Sequence, residues 1–299
     1  MQTCDTLLGM NFHAARGRSE KRRVDGRWRL SRSASRLFLA TAFLTGILCG
    51  QNHDLGYEDT PILPGLPYRV HDPKRPHPPV VSPAKDPGGA PSDAIVLFNG
   101  KDLSEWHTTK DDGGAGNSPW KVGDGYFEVV PKAGNLATNK KFGNFQLHIE
   151  WASPTQITGT SQERGNSGVF LMGKFEIQVL DSYHNPTYAD GQAGSIYGQW
   201  PPLANAVRPT GEWNSYDIVF EAPRFAGGKL LEPAYITLFL NGILLHNRKA
   251  AMGPTLHREL AHYEALPAED SLVLQDHGNR VRYRNVWIRR LSSYDLPEK

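Results

Sequence analysis

The stretch Phe175-Glu176-Ile177-Gln178-Val179-Leu180-Asp181 decides the fold class. Side chains along a strand alternate between its faces, so Phe175, Ile177 and Val179 share one side and Glu176, Gln178 and Leu180 the other. The first set is wholly apolar and belongs in a core. Glu176 and Gln178 then stand side by side on the opposite face of the same sheet. The same alternation recurs upstream in Gly125-Tyr126-Phe127-Glu128-Val129-Val130, in Phe145 to Trp151 and in Gly168 to Met172. Downstream it recurs in Tyr216 to Phe220, Tyr235 to Leu240 and Val281 to Leu291. Period-two alternation predicts antiparallel sheets with one buried face. Asn241-Gly242, set between Leu240 and Ile243, predicts a two-residue hairpin because both residues tolerate positive φ. No long amphipathic helix is written after residue 94. Many strands without interleaved helices imply an all-β sandwich or barrel.

The chain has 299 residues, with 39% hydrophobic and 21% charged side chains. That composition supports a packed core and argues against general disorder. The formal charge is +2, and much of the positive excess lies in residues 16–36, which carry Arg16, Arg18, Lys21, Arg22, Arg23, Arg27, Arg29, Arg32 and Arg36. No basic stripe survives outside that stretch, so nucleic acid is not an expected partner. A short apolar run from Leu37 to Leu48 follows, and a positive region ahead of a short apolar core is the layout of an export signal. Residues 1–50 are therefore expected to be an export leader. The protein is expected to be periplasmic or extracellular, with membrane contact only through this leader or a lipid on Cys49. Residues 51–92 hold ten prolines, from Pro61 to Pro91. Such density favours an extended spacer, read here as a tether or a segment draped over the domain. The sandwich itself is expected over residues 93–293. Cys4 and Cys49 are the only cysteines, so the domain carries no disulfide framework and no cysteine metal site.

Four clusters in the domain carry reactive or binding side chains. On the deciding strand, a bulge near Leu180 would swing Asp181 onto the face of Glu176 and Gln178, giving two carboxylates and an amide on one rigid element. Paired carboxylates are what glycoside chemistry uses for acid and base roles. A solvated strand face with incidental charges is the plainer alternative. The run Leu274-Gln275-Asp276-His277-Gly278-Asn279, leading into Arg282-Tyr283-Arg284, places Gln275 and His277 at a turn. His277 can exchange protons near neutral pH, although a lone histidine is more often structural. Glu163-Arg164-Gly165-Asn166-Ser167-Gly168 offers the planar donor fork of Arg164, suited to hydroxyl or carbonyl oxygens, beside Asn166. Gly194-Ser195-Ile196-Tyr197-Gly198-Gln199-Trp200 reads as a loop wall against which a sugar ring packs, with Tyr197 in it. Trp213 reads as a core anchor at the start of a strand.

In order along the chain, these segments resemble a known family. Leu97-Phe98-Asn99-Gly100-Lys101-Asp102-Leu103-Ser104-Glu105-Trp106 resembles the opening of the 3-keto-disaccharide hydrolase domain. The resemblance continues through Asn166 to Leu171, Phe175 to Tyr183, Gly194 to Gly198, Gly211 to Asn214, Asn241-Gly242 and Leu274 to Gly278, and it closes with Arg284 to Ile288. Residues 253–270, with His257 and His262, depart from the pattern. The resemblance implies a concanavalin A-like, jelly-roll β-sandwich of two antiparallel sheets with a polar concave face. It also implies action on glycosides oxidised at carbon 3, cleaved by elimination and rehydration. Glu176, Asp181 and His277 are then the proton-transfer candidates. Arg164, Gln178 and Gln275 are the oxygen-holding ones, with Asn166, Tyr197 and Arg284 as further substrate contacts. No cofactor is required by the sequence. A divalent metal could stabilise an enolate, but no ligand spacing calls for one.

Two other readings remain on sequence grounds. A non-catalytic carbohydrate-binding module can use the same sandwich, since fold does not fix function. It would show an aromatic face with few ionisable groups, whereas acids, amides and a histidine cluster here. A retaining glycosidase would need a second glutamate farther along the 175–181 strand, where Gln178 and Asp181 stand instead.

Overall fold

A computed structural model describes residues 55–294, apart from 110–114 and 117–118. The export leader expected over residues 1–50 lies outside the described residues. The chain enters the sandwich through β1 (Ile95–Phe98), β2 (Trp106–Thr109) and the short β3 (Ala115–Gly116). Next come β4 (Lys121–Gly123), β5 (Tyr126–Glu128), β6 (Asn135–Phe142) and β7 (Phe145–Ala152). The strands β8 (Ser167–Leu171) and β9 (Phe175–Val179) form a tight hairpin. Beyond them lie β10 (Asn214–Glu221), a small outlying pair β11 (Arg224–Ala226) and β12 (Lys229–Glu232), and the hairpin β13 (Tyr235–Leu240) and β14 (Ile243–Ala250). β15 (Asp270–Leu274) and β16 (Arg282–Arg290) complete the series. Helical structure among the described residues is limited to two single 3-10 turns, Ser161–Glu163 and Ala189–Gly191.

The strands form the expected all-β sandwich of antiparallel sheets. The larger sheet runs β14-β13-β10-β7-β16-β5-β4, with β1 also paired to β16. The smaller runs β3-β2-β6-β15-β8-β9, so β9 lies at its edge. Leu147, Ile149, Trp151, Ile218, Phe220, Ile236 and Leu238 of the first sheet meet Leu136, Val169, Leu171, Phe175, Ile177, Val179 and Leu274 of the second, all buried. Each such aliphatic or aromatic side chain contributes about 1.5–3 kcal/mol by leaving water, which makes the inner faces the main source of stability. The hairpin at Asn241-Gly242 forms as expected: φ is 53° and 79° at these residues, and Leu240 pairs directly with Ile243.

Two buried tyrosines cross the core and tie the sheets together where β8 and β9 lie. Tyr216 of β10 donates its hydroxyl to the carbonyl oxygen of Gln178 at 2.6 Å. Tyr283 of β16 donates to Ser167 Oγ at 2.7 Å, and Ser167 in turn donates to the Gln275 carbonyl oxygen at 2.6 Å. A buried phenol must find such a partner, and here the partners are the backbones and small side chains that carry the polar face of the smaller sheet.

Among its described residues the proline-rich segment makes only an isolated bridge, Ile62 with Arg69, but its end docks on the larger sheet. The Gly88 carbonyl oxygen accepts from Trp287 Nε1 at 2.8 Å and from Asn285 Nδ2 at 2.9 Å. A Cβ on Gly88 would come within 3.1 Å of the His148 ring, and its φ of +76° also favours glycine. Both β16 residues face away from the core because the β7–β16 register shifts between Arg284 and Trp287.

Candidate functional site

The outer face of the smaller sheet carries a cavity of about 320 Å³. Its floor is made by β8 and β9, whose register sets Gly168 opposite Gln178 and Phe170 opposite Glu176. Glu176 and Gln178 do lie on the face turned from the core, as alternation requires. They are not solvated, however: Glu176 is 5% exposed and Gln178 1% exposed. Two distant segments shelter them. The first is the 188–200 loop, whose Tyr197 N–H donates to the Glu176 carbonyl oxygen at 3.1 Å and whose Gly194 N–H donates to that of Gln178 at 2.9 Å. The second arrives at Thr255, whose hydroxyl oxygen accepts from the Glu176 N–H at 2.9 Å.

Burial drives the electrostatics of the floor. Removal from water pushes the Glu176 carboxyl up to about 8, because a charged carboxylate loses hydration there without an opposite charge beside it. Tyr197 is held above its usual value, first by burial, then by its bond to Tyr188 and by the nearby Glu176 and Asp190. Its hydroxyl lies 2.7 Å from that of Tyr188 and 3.3 Å from His257 Nδ1, and the Tyr197 and His257 rings stack at 6.5 Å. Asn166 and Gln275 complete the wall, and His277 stands exposed at the rim. The side-chain oxygen of Gln275 is buried and has no hydrogen-bond partner among the described residues. An unpartnered buried acceptor of this kind costs about 1–3 kcal/mol, so it is suited to take a hydrogen bond from a ligand hydroxyl.

The structure thus brings together Glu176, Gln178, Asn166, Tyr197, Gln275 and His277. It separates three other expected residues from them. Asp181 does not join Glu176 in the cavity: the β8–β9 pairing ends at Val179, Leu180 is buried in the core like Val179 before it, and Asp181 is taken up by other partners. Asp181 instead accepts from Arg164 Nε at 2.9 Å and from Thr210 Oγ1 at 2.8 Å, and its other oxygen accepts from the Tyr183 N–H at 3.2 Å. Arg164 is thereby occupied as well, with its NH2 group donating to the Tyr183 carbonyl oxygen at 3.0 Å. Neither residue lines the cavity. Arg284 stands on the outer face of the other sheet, where it donates to Glu150 Oε2 at 2.6 Å and lies 4.2 Å over the Trp213 ring. Trp213 is therefore half-buried at that surface rather than a core anchor.

Two residues of the cavity were not singled out by the sequence, Phe170 and Thr255, and neither was Gln162, which lies behind the floor. His257 was noted only as part of an atypical stretch, and it stands at the mouth. Among the described residues no three His, Cys, Asp or Glu side chains gather as a metal-binding group.

Comparison with known proteins gives the chain its relatives. A 3-keto-disaccharide hydrolase of Bacteroides thetaiotaomicron is 25% identical over 236 residues, covering 66% of this chain and 78% of that protein. The crystal structure of a Parabacteroides distasonis protein, provisionally named a glycosyl hydrolase, is 49% identical. It superposes with a TM-score of 0.68 over 72% of this chain and 93% of that one. Residues 93–289 match the family described as the 3-keto-alpha-glucoside-1,2-lyase-like domain, and the chain belongs to that family.

Proposed function

We propose that this protein is an exported enzyme that cleaves 3-keto-glycosides, including 3-keto-disaccharides, by elimination followed by hydration. The observation that carries this reading is Glu176, a carboxyl buried without a counter-charge on the floor of a polar cavity and held up at about 8. Such a group keeps its proton near neutral pH and serves as an acid. The keto group makes the chemistry accessible. It acidifies the hydrogen on carbon 2, so a base can remove that proton and leave an enolate across carbons 2 and 3. Collapse of the enolate restores the ketone, forms the carbon 1–carbon 2 double bond and breaks the glycosidic carbon–oxygen bond. The departing oxygen takes a proton. Water then adds back, with hydroxyl to carbon 1 and hydrogen to carbon 2, so the net change is hydrolysis.

In this reading His277 at the rim is the base and Glu176 the acid for the leaving oxygen. Gln275, with its unpartnered oxygen, and Asn166 orient the sugar hydroxyls, and Tyr197 walls the ring. Asp181 takes no part, because both of its oxygens already have partners. The test is incubation of the full chain with a 3-keto-glucoside and with its unoxidised parent, with and without added divalent metal, in heavy water. Release of the aglycone from the keto form alone, with deuterium on carbon 2 of the product, is the expected result. Sugar binding without cleavage of either form would leave a lectin-like module in place of the enzyme.

A further inference from the structure

Behind the cavity floor runs a chain of side-chain amides whose orientations are fixed by backbone carbonyl groups, which can only accept. Gln162, on the 3-10 turn after β7, donates its Nε2 to the Gly191 carbonyl oxygen and to Thr187 Oγ1, both at 2.9 Å. Gly191 makes this approach possible, since a Cβ there would stand 2.8 Å from the Gln162 nitrogen. With its nitrogen so committed, Gln162 turns its Oε1 toward Gln178. Asn166 is fixed in the same way: its Nδ2 donates to the Gln162 carbonyl oxygen at 2.6 Å, leaving Oδ1 toward Gln178. Gln178 therefore faces two acceptors, and its Nε2 donates to Gln162 Oε1 at 2.9 Å and to Asn166 Oδ1 at 3.3 Å.

That orientation has a consequence on the other side of the Gln178 amide. Its oxygen is left 3.2 Å from Glu176 Oε1 and 3.3 Å from the Ser167 carbonyl oxygen. Two acceptors make a favourable contact at that distance only when a proton lies between them; the Ser167 carbonyl has none to offer, so Glu176, as a carboxylic acid, is the one neighbour that supplies it. The reversed amide would donate to Glu176 and Ser167, but it would set its own oxygen against Gln162 Oε1 and Asn166 Oδ1, both anchored by backbone acceptors.

We infer that Gln162 is a positioning residue which, through Gln178, keeps Glu176 in its protonated form, so that Glu176 enters the cavity as a proton donor and not as a base. The inference names the role of Glu176 within the proposed elimination and to that extent rests on it, but the protonation state can be read without turnover. The surroundings of Glu176 agree. Tyr283 from β16 and Tyr197 from the 188–200 loop are both held protonated above their usual range, and Asp190 adds a negative charge on the same loop. His257 and His277 stand at the mouth, exposed. Among the described residues no lysine or arginine lines the cavity to offset a carboxylate. Burial also raises the Glu176 carboxyl.

The experiment is infrared difference spectroscopy of the full chain against Glu176→Gln, following the protonated-carboxyl band from pH 5 to 10. The band is expected to persist through neutral pH. In Gln162→Met, of similar length but with neither amide group, Gln178 loses its 2.9 Å acceptor and keeps only Asn166 at 3.3 Å, so its nitrogen can turn onto Glu176. The midpoint of the band is then expected to fall by about one pH unit or more. In Gln162→Glu, which keeps an acceptor facing Gln178, the midpoint is expected to stay at or above that of the parent. No protonated band in the parent at neutral pH would overturn the inference. So would an unchanged midpoint in Gln162→Met. If Gln162→Met does not fold, Gln162→Glu decides: a midpoint lowered there contradicts the anchored amide. Absence of 3-keto-glycoside cleavage in a protein showing these spectra would sink the proposed reaction and leave the amide chain standing.

Discussion

Arg164 Nε donates to Asp181 Oδ2 across 2.9 Å, with the two side chains 11% and 3% exposed. The pair ties the turn before β8 to the end of β9, and Thr210 and the Tyr183 backbone complete it. Asp181→Asn removes the charge that balances a largely buried guanidinium, which typically costs about 3–5 kcal/mol. The expected outcome in urea unfolding is a loss near the lower end of that range, with activity per folded molecule within a few fold of the parent. Abolished activity in a variant of parental stability would return Asp181 to the reacting groups.

Glu176 couples the site to stability in a direction opposite to most carboxylates. Its folded value, about 8, is above the ordinary 4.5, so the folded state binds the extra proton between those values. Stability from this group is fully present below about pH 4.5 and is lost as pH rises through 8. Glu176→Gln, which mimics the protonated form, should match the parent near pH 4 and exceed it at pH 9 by on the order of a few kcal/mol. Thermal unfolding across that range measures it. Equal stability at both ends would show that the carboxyl is solvated.

On the outer face of the larger sheet, His148 shows the reverse arrangement. Burial works against its charge, but hydrogen bonds to Asp217, at 2.6 Å, and to Glu150 hold it up at about 9. Its contribution is fully present below about pH 6.5 and lost as pH rises through 9. Glu150, held down to about 2 chiefly by its bond to His148, contributes above about pH 4.5 and loses that as pH falls through 2. His148→Gln should flatten the decline in melting temperature between pH 6.5 and 9. A decline as steep as in the parent would assign it to other groups.

Gly168 leaves the space in which the Glu176 carboxyl sits. A Cβ there would lie 2.5 Å from Glu176 Oε1 and 2.7 Å from the Phe170 ring. Gly168→Ala should therefore displace the carboxyl and lower turnover of a 3-keto-glycoside at least about tenfold, a barrier change of about 1.4 kcal/mol. The melting temperature should fall only modestly, since the end of a flexible side chain can move. Parental turnover would show that the carboxyl's position is not needed.

Strand alternation and the Asn241-Gly242 turn were legible because they are local: each depends on neighbouring side chains and their φ preferences. The same logic placed Glu176 and Gln178 on the correct face. It could not reveal that the 188–200 loop and Thr255 bury that face, because both come from distant parts of the chain. Asp181 and Arg164 looked reactive in isolation, and their pairing across 17 residues depends on where β9 ends. Gln162 carries no sequence signal at all. Its importance lies in which atoms its amide faces, a property that exists only once Gly191 and Gln178 are placed beside it.

The docking of Gly88 on Trp287 and Asn285 also gives the sandwich a mechanical polarity. The cavity opens on the outer face of the smaller sheet, whereas this attachment lies on the outer face of the larger one, with the core between them. Tension drawn along the segment that precedes Gly88 would be received by β16 at the far side of the molecule. It would load a central strand of the larger sheet and leave the loops around Glu176 slack.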